Sequence, residues 1–352
     1  MRFYKNILIT LLFAAFFYEY SQSQSVEKQL FNSDEILHIR ISMNVKEVIS
    51  ERDTASRKYH KAIFTYEQAD GEEVSQKIKI KVRGNNRANP DVCSFPPLKL
   101  NFNKSNADNS IFAGQDKLKL VTHCSGKSLY EEYTLREYYV YKLLQLITPY
   151  SFKVRLCRVI YDDTNGKFKP TPHYGFIIED LSHLTKRHDI AVFNGRVRNQ
   201  DACSRVELDR VTLFEYLIGN LDWSIPYRHN FKIVVDKKRS ALIPVPYDFD
   251  LTGIVNKTNA LPPPSFEITS VRERIFRGLC RVEGGYDPTV QHFKDIKPAI
   301  YALYEDSEYL SERSIKSTLK YLDSFYKILD NPKALRQKIE RACWAEHKHL
   351  YK

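Results

Sequence analysis

Two groups of residues in the C-terminal half have the types and spacing that phosphoryl transfer uses. Leu221-Asp222-Trp223 is followed by His229-Asn230, and Asp248-Phe249-Asp250 comes after a further short interval. Moving a phosphoryl group asks little of a protein beyond position and charge: a cation near the phosphates, a carboxylate holding that cation, hard-oxygen metal ligands, and a carboxylate that orients the attacking hydroxyl. Asp222 followed by Asn230 offers that last carboxylate together with an amide oxygen. Asp248 and Asp250 alternate across an aromatic residue, and two carboxylates so placed repel unless a cation or hydrogen bonds hold them. Magnesium keeps several waters, so two or three such protein oxygens suffice.

Other chemistries find less support. No Gly-x-Ser-x-Gly elbow for a serine hydrolase is present. A glycosidase needs its two carboxylates on opposite sides of a sugar, which the spacing of Asp248 and Asp250 does not establish. The six cysteines, Cys93, Cys124, Cys157, Cys203, Cys280 and Cys343, are scattered without the paired spacing of a zinc site. His229 reads as a loop histidine that fixes Asn230.

The elements that must position these residues follow from hydrophobic periodicity. Residues 35–42, 61–67 and 77–83 alternate apolar and polar and read as antiparallel strands, with Ala69-Asp70-Gly71 a hairpin turn between the second and third. Further strands are expected at Leu98–Phe102 and Lys117–Thr122. Leu129–Ile147 changes to helical period and ends at Pro149. Strands resume at Lys153–Tyr161 and Tyr174–Ile178, a second helix covers 205–221, and Asn230–Val235 and Ala241–Val245 form a short hairpin. Beyond Leu261-Pro262-Pro263-Pro264 the chain reads as helical, and no internal repeat is seen.

In that order the motifs resemble the CotH-type, spore-coat-like branch of atypical exported protein kinases. The resemblance is carried by VRGNNR at Val82–Arg87, LKLNF at Leu98–Phe102, LREYYVYKLL in the first long helix, GFIIED at Gly175–Asp180, GNLDW with the following HN, and YDFDLTG at Tyr247–Gly253. It spans about residues 35–255. It implies an α+β, two-lobed protein-kinase-like fold: an antiparallel-sheet N-lobe with one major helix over 25–181, after a signal peptide at 1–24, and a mainly helical C-lobe over 182–352. It also implies an exported phosphotransferase that moves the γ-phosphate of a nucleotide, ATP above all, to a hydroxyl of a protein or small molecule, with Mg2+ or Mn2+.

Residue by residue, the resemblance makes Lys99 the strand lysine on the nucleotide phosphates and Glu137 the carboxylate that fixes it. Asp222 orients the acceptor hydroxyl and takes its proton late. Asn230 and Asp248 ligate the metal, with Asp250 as a second or supporting carboxylate. Glu179 and Asp180 stand where the lobe-connecting segment meets the nucleobase, and Arg83 lies in the loop nearest the phosphates. The sequence also departs from the kinase pattern. Seven residues separate Asp222 from Asn230, Asp-Phe-Gly is missing, and Arg83-Gly84-Asn85-Asn86 is at best a substitute for a glycine-rich phosphate loop. Plainer roles stand beside each assignment: an outward strand lysine for Lys99, with Lys119 its rival, a solvated salt-bridge partner for Glu137, and a turn-capping carboxylate for Asp222.

Composition sets the frame. The chain has 352 residues with 43% hydrophobic and 13% aromatic content, only 12 Gly and 15 Pro, and a net charge of +11. These values exclude a disordered polymer, a collagen-like repeat and a small disulfide-stapled peptide. Arg2 and Lys5 precede the apolar run Ile7–Phe17 and the polar stretch Ser21-Gln22-Ser23-Gln24, a secretory signal pattern too short to span a bilayer. The mature chain is therefore expected to be exported (periplasmic, in the cell envelope or secreted), with no transmembrane segment, one or two disulfides and Cys93–Cys124 the foremost pair. From Lys77 to Arg155 the chain holds 14 Lys and Arg against 6 Asp and Glu. No nucleic-acid-binding module accompanies that excess, so a nucleotide or another anionic ligand is the expected partner rather than nucleic acid. The alternative to catalysis is a binding or envelope-structural protein that uses this basic region to hold an anionic polymer.

Overall fold

A computed structural model describes residues 30–68, 71–102, 110–236, 238 and 241–342. The signal-peptide expectation at 1–24, the Ala69-Asp70 turn pair and Cys343 lie outside the described residues. Contacts divide the chain into two units, 30–124 with Arg155–Ile178, and Ser125–Val154 with 179–342.

The first unit is a closed seven-stranded barrel, formed by β1 (Leu37–Met43), β2 (His60–Glu67), β3 (Glu73–Val82), β4 (Leu98–Phe102), β5 (Lys117–Val121), β6 (Val154–Asp163) and β7 (Pro172–Ile178) in the spatial order β1-β2-β3-β4-β5-β7-β6. This corrects the kinase-like expectation of an open antiparallel sheet with one major helix. β1 pairs antiparallel with β2, and its other edge pairs parallel with β6 from Leu37 opposite Cys157 to Met43 opposite Asp163. Closure of that kind leaves no edge strand exposed. The long helix Ser128–Ile147, assigned from sequence to the β-rich lobe, belongs to the second unit.

Alternation explains the barrel. In β4 the residues Leu98, Leu100 and Phe102 are buried while Lys99 and Asn101 face outward, and β3 and β5 repeat the pattern with Ile78, Ile80, Leu118 and Leu120 inside. Phe64, Tyr66, Phe102 and Phe112 fill one end with ring centroids 5.0–5.2 Å apart, mostly edge-on. Asp163 organises the β6–β7 turn, its oxygens accepting the backbone N–H groups of Val45 at 3.1 Å and Lys167 at 2.8 Å. Val45 opens the short helix α1 (Val45–Ser50), capped by Asn44. Cys93 and Cys124 form the expected disulfide, and Arg52 braces the same loop by donating to the Cys93 and Ser94 carbonyls at 2.6 and 2.7 Å. Cys157 and Cys203 are buried thiols, whereas Cys280 is disulfide-bonded.

The second unit is mainly helical. It contains α2 (Ser128–Ile147), α3 (Leu181–His188), α4 (Arg205–Ile218), α5 (Asp287–Asp295), α6 (Lys297–Glu305), α7 (Glu312–Leu329) and α8 (Pro332–Leu335). A small sheet orders β8 (Ala191–Val192), β9 (Phe231–Asp236) and β10 (Ala241–Pro246) as β10-β9-β8. Residues 265–286, expected to be helical, contain only turns and irregular backbone. Gly278, Gly284 and Gly285 fall in this stretch, and glycine's backbone freedom works against a helical hydrogen-bond ladder.

Candidate functional site

Helix α4, expected over 205–221, ends at Ile218 because of the glycine that follows it. Gly219 takes the left-handed conformation (φ +65°), and its N–H and that of Asn220 close back on the Tyr216 and Glu215 carbonyls. A Cβ at Gly219 or at Gly253 would meet the Tyr321 hydroxyl, and Gly253 N–H donates to the Gly219 carbonyl at 3.1 Å. Small residues therefore let the two chain segments that lead into the site touch.

From this pivot the chain runs into a tight turn. Ser224 and His229 form an isolated antiparallel bridge, exchanging backbone hydrogen bonds of 2.9 and 2.8 Å around 225–228. The turn brings the end of the segment back to its beginning. His229 Nε2 lies 2.7 Å from Asp222 Oδ1, and Asn230 Nδ2 donates to the Asp222 backbone carbonyl at 2.7 Å and to Asp222 Oδ2 at 3.2 Å. His229 was read as a brace for Asn230. Instead it braces Asp222.

Beneath the turn, Asn220 Oδ1 accepts the Asp222 N–H at 3.0 Å and the Asn220 carbonyl accepts from the Trp223 indole at 3.2 Å. Arg277, itself buried, donates to the Leu221 carbonyl at 2.5 Å and stacks on the Trp223 ring at 4.7 Å. Glu215, one helical turn back, is 1% exposed, and among the described residues neither of its oxygens has a hydrogen-bond partner of good geometry. Burial pushes its carboxyl up to about 8, against a weaker downward pull from Asn220 and Arg277.

The second carboxylate group arrives through the hairpin. Asn230 precedes β9 and its carbonyl accepts the Tyr247 N–H at 3.0 Å just past β10, so Asp248 follows directly on a residue bonded to Asn230. Phe249 is fully buried against Tyr141 (4.7 Å) and Phe214 (5.5 Å) and anchors the segment. The alternation across Phe249 leaves Asp248 exposed while Asp250 is buried with its Oδ2 2.5 Å from Lys257 Nζ. The Asp248 N–H donates to the Tyr141 hydroxyl at 3.0 Å.

Three non-glycine residues here, Arg228, Asn230 and Asp248, hold positive φ of 51°, 55° and 68°. Such backbone costs of order 1–3 kcal/mol per residue and persists where surroundings over-determine it, a pattern concentrated at functional sites.

The structure thus brings Asp222, His229 and Asn230 together by direct contact and links Asp248 to them through Tyr247. Two hydrogen bonds from Asn230 Nδ2 assign its amide orientation and leave Oδ1 as an oxygen donor. That oxygen and the exposed Asp248 carboxylate are hard ligands of the kind magnesium takes, whereas Asp250 has a lysine for counter-ion. Among the described residues, no group of three or more His, Cys, Asp or Glu is arranged to hold a metal ion.

The other predicted residues are held as follows. Glu137 is buried in α2, 2% exposed. Glu179 accepts from the Lys153 N–H at 3.0 Å and from Arg187 at 3.2 and 2.9 Å, and Asp180 caps α3 through Ser182. Both have structural work that their motif did not announce. Lys99 faces outward from β4 between Lys81 and Lys119, and Arg83 begins the loop after β3, both in the barrel unit.

Among the described residues no helix is long and apolar enough to cross a membrane. The chain matches no protein-family model, and no curated protein matches it.

Proposed function

We propose that this protein is an exported, magnesium-dependent phosphotransferase that moves the γ-phosphate of a nucleotide to an acceptor hydroxyl, with its chemistry centred on Asp222. The observation that carries the reading is the fixed Asp222 carboxylate, held by His229 at one oxygen and Asn230 at the other. A carboxylate clamped on both sides but still half-exposed is poised to orient a hydroxyl and to receive its proton as the bond to phosphorus forms. The motif resemblance to the CotH-type branch supports the same assignment.

Asn230 serves twice. Its Nδ2 holds Asp222, while its Oδ1 and the Asp248 carboxylate supply two oxygens for a divalent cation. A bound magnesium ion would neutralise charge on the transferred phosphoryl group and its leaving oxygen. Tyr141 fixes the Asp248 backbone and Phe249 anchors it in the core, so the carboxylate is presented from a rigid element, as catalytic geometry requires. Lys257 compensates the buried Asp250, whereas the Asp248 side chain is exposed.

Export is supported by the N-terminal signal pattern and by the Cys93–Cys124 disulfide, which persists in oxidising compartments. The test is transfer of labelled γ-phosphate from ATP with magnesium, by autophosphorylation or to a hydroxyl acceptor. Label incorporation that Asp222→Asn leaves unchanged would remove Asp222 from the centre of the account.

A further inference from the structure

The outer surface of the barrel carries like charges in direct opposition. Lys61 stands opposite Lys79 across β2 and β3, and Lys81, Lys99 and Lys119 form a row across β3, β4 and β5. Neighbouring strands are about 4.8 Å apart and alternate residues along a strand about 6.7 Å. Like charges placed directly opposite on one face destabilise a sheet, so this grid works against the fold that displays it.

A groove of about 790 Å³ crosses the strands on this face. Lys61, Lys77 and Lys79 project along it beside Ile63, Asn101 and Thr164, and among the described residues no Asp or Glu lines it. None of these three lysines forms an ion pair among the described residues. Ile63 is 39% exposed, an apolar ledge between ammonium groups. The ring on its wall, Phe102, is buried in the barrel core and offers no stacking surface.

We propose that this groove binds a uronic-acid polysaccharide. Each property of the wall has its complement in such a chain. The lysines are compact point charges suited to a series of anionic groups, whereas a lone carboxylate or phosphate is better gripped by the planar fork of arginine. Asn101 and Thr164 match sugar hydroxyls, which a polyuronate retains and a heavily sulfated chain has largely substituted. Ile63 matches the C–H face of a sugar ring. Nucleic acid would call for aromatic platforms under its bases, which the described residues of the wall do not offer. This binding lies wholly within the barrel unit and is independent of the chemistry proposed for Asp222.

The experiment is calorimetric titration of the full chain with an oligogalacturonate of defined length, alongside polyglutamate, single-stranded DNA and a heparin fragment of matched charge. The oligogalacturonate binds most tightly of the four, and its affinity falls linearly with salt on logarithmic axes. The double variant Lys77→Glu/Lys79→Glu loses affinity by about tenfold or more. Ile63→Ser weakens oligogalacturonate binding and leaves polyglutamate unaffected. Lys316→Glu/Lys320→Glu, which makes the same charge change on the exposed side of α7, retains wild-type affinity. Absence of binding, equal or tighter binding of any of the other three polymers, or an equal loss in the α7 variant overturns the proposal. Unchanged thermal melting of each variant shows that the barrel is intact.

Discussion

His229 Nε2 and Asp222 Oδ1 lie 2.7 Å apart, joined across a turn whose ends are bridged at Ser224 and His229. The seven residues between Asp222 and Asn230 form the turn that folds the histidine and the asparagine back onto the aspartate. The same interval looked, in the sequence, like a departure from a working loop. With Asn230 at the other oxygen, Asp222 is the best-fixed exposed carboxylate of the site.

Asp222→Asn keeps the shape and removes the proton acceptor. Transfer should fall by about two to four orders of magnitude, the usual contribution of a positioned acid or base, with the nucleotide dissociation constant little changed. His229→Gln, which keeps one hydrogen bond to Asp222, should lose less. Steady-state kinetics on both variants, with binding measured separately, checks the ranking.

Glu215 gives the fold a pH dependence of unusual sign for a carboxylate. Burial holds its pKa up to about 8, above the ordinary carboxylate value, so the folded state binds the proton more tightly than the unfolded chain. Its contribution is fully present below the unfolded value, declines as pH rises through the range between the two, and is gone above about 8. Glu215→Gln should therefore melt higher than wild type at alkaline pH and close to it at pH 5. Thermal melting across that range measures the difference, and parallel curves for the two proteins would contradict it.

Arg277 ties the Asp222 loop down from below through the Leu221 carbonyl and the Trp223 ring. Arg277→Ala removes a buried charge-assisted hydrogen bond and should destabilise by about 1.5–3 kcal/mol. Arg277→Lys cannot reproduce the planar stacking and should recover only part of that loss. Denaturant titration of the three proteins gives the comparison.

The Cys93–Cys124 disulfide closes a loop with a sequence separation of 31 residues. On chain-entropy grounds a cross-link of that span contributes roughly 3–4 kcal/mol. Cys93→Ser/Cys124→Ser should lower the melting temperature, and wild type under reducing conditions should follow it. Arg52, which donates to the carbonyls of the same loop, should make the folded form survive the loss.

Local pattern was readable and long-range pairing was not. The strand Leu98–Phe102 and the helix expected at Leu129–Ile147 appear almost residue for residue, because alternation and helical period are written in neighbouring positions. Closure of the barrel depends on Leu37 meeting Cys157 in parallel, a pairing that leaves no local mark, so the sheet read as open and kinase-like. At the site, residue types indicated Asp222, Asn230 and Asp248. The grip of His229 on Asp222 required the turn geometry, and the reversed φ of Arg228 and Asn230 has no signature in residues that are not glycine. The Lys257 partner of Asp250 was a missed signal of another kind, a lysine seven residues on that only a folded turn brings back. The excess of lysine was visible from the start, but the register that lines Lys81, Lys99 and Lys119 across three strands was not.

The most direct test of the central claim is calorimetric nucleotide binding to wild type and to Asp248→Ala, each with and without magnesium. The account predicts that wild type binds ATP only when magnesium is present and that Asp248→Ala loses the metal-dependent binding while melting at the wild-type temperature. Wild type that binds no ATP, GTP or ADP with magnesium present, or Asp248→Ala that binds as wild type does, would contradict it.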